Sequence, residues 1–454
     1  MKKIFHILFD ADKFWSKMIL TVIYLFVYDY LFHDFIFEQF EYMGIVYQPM
    51  SIETMTIWIM ISITPMSFYH GVVNVSSYIT FFLYLFVYIP FIHAIFVIPD
   101  LPYIQKGIVS LVVCALFILY MNIGGRIKLL KNINITPKIP FKYIEILTVA
   151  LSAVYVAANI SRMHFVNIFT QQDVLYDLRA QNAEELGEGN IFAYLRGWLF
   201  GAFYPFLLVH YLKNKKWLYA ICILIGYIIL FMVDMQKLTF FMPFALTALY
   251  FLIKINLHTI CNRLHTLIIG FLILMSLTLM SLQDNKVVFT IAAILILRTI
   301  CVTGWLTQIY FVFFNNGNPF THYSHINIVN LLTNSYPYDV PLGIAVSYHT
   351  QNANATFFLT DGYAAWGIVG IVIIGFIFYF FLELSDSISY NYQLEDLIVL
   401  FLPTVSYLLN VSYFTTLLSN GLLFLLILIA CTNTSGDQAE ITDKQKRTTI
   451  YIYE

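Results

Sequence analysis

The stretch "VVFTIAAILILRTICVTGWLTQIYFVFF", residues 287–314, is apolar throughout except for Arg298 near its middle. Its length is enough to cross about 30 Å of hydrocarbon. Yet an arginine at the centre of a lipid-exposed helix costs roughly 2.5–3.5 kcal/mol or more. Whether this segment crosses decides the topology. Upstream, Lys2, Lys3, Lys13 and Lys17 place the N-terminal lead-in inside, because basic residues gather at the inner ends of spans. Spans near 18–35, 51–69, 76–97 and 106–124 then bring the chain to "GGRIKLLKNINITPKIPFK", a second basic inner loop. A span near 143–161 exits, 162–191 forms an outside loop, and 192–212 returns to the basic "KNKK" at 213–216. Spans near 217–233 and 238–254 make an outer hairpin with "DMQK" at its tip.

Counting back from the basic residues Lys444, Lys446 and Arg447 puts 315–361 outside, through spans near 414–431, 396–411 and 362–382. Two apolar segments, 264–282 and 287–314, then lie between an inner and an outer point, so one must not cross. Arg298 selects 287–314 as a re-entrant or broken outer element, since non-helical backbone at membrane depth needs protein or water around it. The expected fold is all-α: a polytopic membrane protein of about 12 transmembrane helices in one domain, 1–454, with a cytoplasmic tail at 432–454. Composition agrees. The chain is 60% hydrophobic and only 11% charged, where a soluble domain carries about 25% charge. A net charge of −2 gives no footing for nucleic acid. The five cysteines stand singly, with no metal-ligand spacing, and read as small core residues.

The two outside loops hold the polar residues that could carry chemistry. The first contains Arg179; Arg196 follows just inside the next span, and Lys237 tops the hairpin. With Arg298 these are four cations on one membrane face, and such cations bind phosphate through charge-assisted hydrogen bonds. The second loop, 315–361, is rich in amides, hydroxyls and aromatic rings but nearly free of charge. Amides such as Asn352 and Asn354 offer donor and acceptor to sugar hydroxyls, and rings pack on the apolar faces of sugars. His322, His325 and His349 are candidate general bases, as imidazole titrates near neutrality, and Asp361 is another. No metal site or cofactor is read. Asp29, in the first span, reads as an interfacial helix-end residue and not as a proton carrier.

The chain resembles Wzy-type polymerases, which build bacterial O-antigens and capsules from lipid-linked repeat units. The resemblance rests on "YDLRAQ", "YPFLLVHYLKNKK", "VDMQKLTFF", "ILRTICVTGWLTQIYFVFF" and "NANATFFLTDGYAAWGIVG". Some members space an Arg and a Gly by ten residues. Here Asn190 stands at that place after Arg179, and Gly189 precedes it. The resemblance implies a metal-independent glycosyltransferase of the bacterial inner membrane, working outside the cytoplasm on undecaprenyl-diphosphate-linked oligosaccharide. It also implies membrane lipids as surroundings, and a chain-length regulator and a flippase as pathway partners. An O-antigen ligase, or a flippase for the same lipid-linked units, are the alternatives.

Overall fold

The computed structural model describes residues 14–38, 41–123, 129–136, 138–167, 171–186, 191–281, 285, 300–348, 352–353 and 357–432. Among these the chain is helical, and Ile139 and Thr432 form an isolated bridge. Nine helices among the described residues are long and apolar enough to span a bilayer. The protein is a polytopic, membrane-embedded helical protein.

In chain order the helices begin with α1 (Phe14–Leu31, prolonged by a π turn to Phe37), α2 (Ile52–Ile63), α3 (Val75–Val97) and α4 (Tyr103–Met121). Next come α5 (Phe141–Asn159), α6 (Gln172–Leu186), α7 (Ile191–Lys213), α8 (Trp217–Asp234) and α9 (Lys237–Ile255). Then follow α10 (Leu257–Ser281), α11 (Val302–Asn315), α12 (Asn327–Thr333) and α13 (Phe358–Ser389). The chain closes with α14 (Leu394–Leu400), α15 (Leu402–Leu408), α16 (Tyr413–Leu418) and α17 (Leu422–Cys431). These gather into two compact units interleaved along the sequence. Unit 1 is Met1–Leu129, His258–Glu383 and Val405–Tyr413; unit 2 is Leu130–Leu257, Leu384–Thr404 and Phe414–Glu454.

In unit 1, α3 is hydrophobic on every side and almost wholly buried, as a helix at the core of a bundle must be. Asn74 opens it with a reciprocal capping box to Ser77. Pro90 lacks an N–H, and the chain before it widens into a π turn at Tyr84–Tyr88. Lys106 of α4 closes the helix: its Nζ donates to the carbonyls of Phe96 and Ile98 at 2.9 and 2.6 Å. Those are end-of-helix acceptors that nothing within α3 can satisfy.

The decisive feature of unit 1 is that α13 folds back on itself. Its backbone leaves helical geometry at Trp366 (φ −148°, ψ 32°) and Gly367 (φ 58°, ψ −136°). A straight helix would hold Phe358 and Phe378 about 30 Å apart, yet their rings stack at 4.6 Å. The arm 358–365 therefore runs antiparallel to the start of 368–389, and only the second arm is left to cross. Gly362 and Gly370 sit where the arms touch, and a Cβ on either would meet the other's backbone. The first arm is buried, from Phe357 and Phe358 at 0% exposure to Ala364 and Ala365 at 0%. Residues 358–361, expected in an outside loop ahead of a span starting at 362, instead lie in the unit's interior. Of the expected re-entrant segment 287–314, the part up to residue 299 lies outside the described residues; the rest forms the π turn and buried helix α11.

Gly370→Ala is expected to destabilise the fold by about 1–3 kcal/mol or more, the usual range for overpacking. The reading is a thermal unfolding midpoint in detergent. Gly270→Ala on α10 is the control, since a Cβ there meets nothing within 4 Å. Equal midpoints for the two variants would contradict the fold-back.

In unit 2, α8 and α9 form the expected hairpin, turning at Met235 in the left-handed region (φ 52°). Gly197 and Gly201 on α7 let its backbone meet Ser419 and Asn420, in the break between α16 and α17. The Trp198 indole N–H donates to the Leu418 carbonyl at 2.9 Å and ties down that break. The expected crossings 396–411 and 414–431 are each interrupted. Pro403 sits where α15 restarts after α14, and Gly421 (φ 86°) separates α16 from α17. The ten-residue α17 rises only about 15 Å.

Candidate functional site

The site begins with what the fold-back leaves unsatisfied. Ending a helix at Ala365 orphans its last carbonyls. The loop after α11 supplies donors: the Thr321 N–H binds the Ala364 carbonyl at 2.9 Å, and the His322 N–H binds that of Ala365 at 3.1 Å. The loop is thereby laid across the bend. To reach both, His322 and Tyr323 take consecutive left-handed conformations (φ 50° and 63°), and Tyr348 takes another (φ 51°). Six non-glycine residues have positive φ among the described residues, and four of them, these three and Asn334, fall between residues 315 and 361. Such backbone strain concentrates at functional sites.

The same loop presents a histidine and the buried arm a carboxylate. His325 Nε2 lies 3.7 Å from Asp361 Oδ1, with side-chain exposures of 9% and 2%. That distance exceeds a hydrogen bond. The other ring nitrogen, Nδ1, is 2.7 Å from Thr321 Oγ1. The Thr321 hydroxyl donates to the Ala364 carbonyl at 3.1 Å, so it accepts from His325 Nδ1–H. This assigns the proton to Nδ1 and leaves the Nε2 lone pair available, with no hydrogen-bond partner among the described residues. Burial pushes the imidazole below its ordinary value, and the Asp361 carboxylate pulls it partly back. At neutral pH the ring is neutral and basic at Nε2.

Around this pair the rings are arranged as a surface. Tyr323 stands edge-on to Trp366 at 5.0 Å, and the exposed His322 ring lies 6.1 Å from Trp366. Trp366 is 39% exposed and offers ring surface to a ligand; Tyr348, 54% exposed, packs beside Phe313 at 5.4 Å. Several amides that the composition offered for ligand binding are occupied within the protein. Asn315 caps α11 through the Phe311 carbonyl at 2.7 Å and binds the Tyr363 hydroxyl at 3.0 Å. Gln105 binds Asn315 at 2.9 Å and Tyr363 at 3.1 Å. Asn352 is exposed. His349, Asn354 and Arg298 lie outside the described residues.

The cations of unit 2 divide into two situations. Arg196 is held inside a network. Its Nε donates to Asp234 Oδ2 at 2.6 Å, and one terminal nitrogen donates to Gln236 Oε1 and Thr239 Oγ1 at 2.9 and 2.7 Å. Asp234 is itself held by the Thr239 hydroxyl (2.6 Å) and the Gln236 N–H (2.9 Å). Arg196, expected to meet substrate, thus has a protein partner at the hairpin tip. Lys237 instead lies over the Tyr176 ring at 5.3 Å, within reach of a cation–π contact. Arg179, exposed, follows Tyr176 by three residues on α6 and shares its face.

The structure thus brings His325 and Asp361 together, and sets Lys237 over Tyr176. It adds Thr321, Trp366 and Asp234, which sequence reasoning missed. Only Trp366 carried a local signal, the "WG" pair inside an apolar run. Among the described residues no three His, Cys, Asp or Glu side chains gather as a metal site requires. The chain matches no protein-family model, no curated protein and no solved structure.

Proposed function

We propose that the protein polymerises undecaprenyl-diphosphate-linked oligosaccharide repeat units, for O-antigen or capsule, at the outer face of the bacterial inner membrane. The observation that carries this reading is a largely buried His325 beside Asp361, its Nδ1 held by Thr321 and its Nε2 without a hydrogen-bond partner among the described residues, in a strained, aromatic loop. In the reaction, the terminal hydroxyl oxygen of one lipid-linked unit bonds to the anomeric carbon of the growing glycan. The bond from that carbon to the diphosphate oxygen breaks, and undecaprenyl diphosphate leaves. The hydroxyl proton passes to His325 Nε2, and Thr321 holds the ring in the tautomer that receives it. Trp366, Tyr348 and His322 offer faces to the sugar rings. Lys237, over the Tyr176 ring, and Arg179, on the helix that carries that tyrosine, are cations of the kind that bind a diphosphate head group. Arg298 is a further cation for it. The topology that accompanies this reading has about 12 crossings, with 287–314 not crossing, the loop at 162–191 outside, and the second outside loop ending before the buried arm that starts at Phe358. A flippase supplying the units and a chain-length regulator are the pathway partners.

The test is deletion of the gene with glycan gel analysis. Core bearing a single repeat unit is the expected outcome; bare core would point to a ligase or a flippase. Trp366→Ala should raise KM for the glycan acceptor about 2- to 12-fold, from a ring contact worth about 0.5–1.5 kcal/mol. Its kcat should change less. An unchanged KM in steady-state assays would remove Trp366 from the sugar surface.

A further inference from the structure

Unit 1 contains a second histidine–carboxylate pair, which the proposed reaction does not use. His93 on α3 is fully buried, and its Nε2 lies 2.8 Å from Asp29 Oδ1 on α1. The sequence reading placed Asp29 at a helix end; the candidate span instead continues to Phe37, and the Asp29 side chain is only 13% exposed. The Tyr47 hydroxyl donates to the same carboxylate oxygen at 3.2 Å. His93 is boxed by the rings of Tyr28 (4.9 Å), Phe32 (4.8 Å) and Trp58 (5.5 Å). Its Nδ1, the Tyr28 hydroxyl and the Trp58 indole N–H have no hydrogen-bond partner among the described residues. Three unfilled polar groups in one buried aromatic box are costly unless the box serves something polar.

The box connects outward through titratable groups. The Tyr47 ring lies 4.7 Å from that of His33. His33 binds Asp34, with side-chain exposures of 41% and 37%. Tyr30 adds a hydrogen bond to Asp34. Facing the box from α1 is Tyr28, whose hydroxyl lies against Gly304 of α11. Lys106, from α4, is committed to the carbonyls at the end of α3. His93 sits one turn before that end, where Gln48 N–H binds the Val97 carbonyl at 2.9 Å.

We infer that Asp29 and His93 form a proton-binding site, open through Tyr47, His33 and Asp34 to the same end of unit 1 that carries the His325 loop. In the unloaded state the His93 Nε2–H donates to the Asp29 carboxylate, and the Nδ1 lone pair is empty of a proton. Loading adds one proton from hydronium to Nδ1 and releases water. The site then holds an imidazolium against a carboxylate, in a box that also contains the unpartnered Tyr28 hydroxyl oxygen. Tyr47 keeps the carboxylate in place in both states.

The experiment follows the ring nitrogens of His93 by NMR in full-length protein carrying isotope-labelled histidine, in detergent, as pH is varied over about 5–8, where imidazoles titrate. The signal is identified by its loss in His93→Gln, or in His93→Asn if the first variant does not fold. The expected result is that Nδ1 takes up a proton as the solution is acidified. Asp29→Asn should move the midpoint down by at least about one pH unit, a tenfold loss of proton affinity, because the compensating carboxylate is gone. A His93 ring that keeps one protonation state throughout, or a midpoint that ignores Asp29→Asn, would overturn the inference. Neither outcome depends on glycan polymerisation.

Discussion

His325→Gln is expected to lower the polymerisation rate at least about 100-fold, since a positioned base contributes about 10²–10⁴. Glutamine keeps much of the shape of the ring but cannot take the hydroxyl proton. The pH profile gives a sharper test. Burial holds the His325 imidazole below its ordinary value, so the base form persists as pH falls. Activity should therefore be lost on an acid limb centred below about 6.5, the unperturbed imidazole value. The sign for Asp361 follows from its charge. Its carboxylate raises the His325 value against the effect of burial. Asp361→Asn should then move the acid limb to lower pH. The pH dependence of kcat/KM in the two proteins checks this, and a limb that moves upward would contradict the pair's electrostatics. The same depression has a stability counterpart: the contribution is complete above about 6.5 and falls away as pH drops through the folded-state value.

Arg196→Ala is expected to cost up to about 3–5 kcal/mol of stability, because it leaves a largely buried carboxylate without its cation. The pair's side chains are 11% and 10% exposed, so solvent does little to screen the loss. Thermal unfolding and the amount of protein in the membrane both read it. The double variant Arg196→Met, Asp234→Met removes both charges and should regain most of that stability. It also separates two roles. A stable double variant that polymerises makes Arg196 a brace for the α8–α9 hairpin. A stable one that does not polymerise gives Arg196 a contact with the diphosphate as well. An alanine variant as stable as the parent would contradict the buried network.

Much of the span pattern was legible because burial in lipid needs long apolar runs, and hydropathy reports those directly. The tip at Asp234–Lys237 and the end of α3 at Val97 fall where the sequence places them. The fold-back at Trp366–Gly367 was not legible. Apolar residues continue through the bend, and an arm buried in protein has the same composition as one facing lipid. The "WG" pair marks a place where backbone can turn, not that it does. His325 and Asp361 were chosen as residue types; their approach depends on the loop reaching back to Ala364 and Ala365, a contact more than forty residues long in sequence. The Arg196–Asp234 and Asp29–His93 pairs fail for the same reason. Each joins different helices, and local spacing says nothing about which helices meet.

The central claim is tested most directly with purified protein in proteoliposomes containing a lipid-linked repeat unit as sole substrate, products being resolved by length. The account predicts a ladder of glycans with undecaprenyl diphosphate released at each addition, and no ladder with His325→Gln. Repeat units that stay single with the parent protein, or a ladder undiminished in His325→Gln, would contradict it.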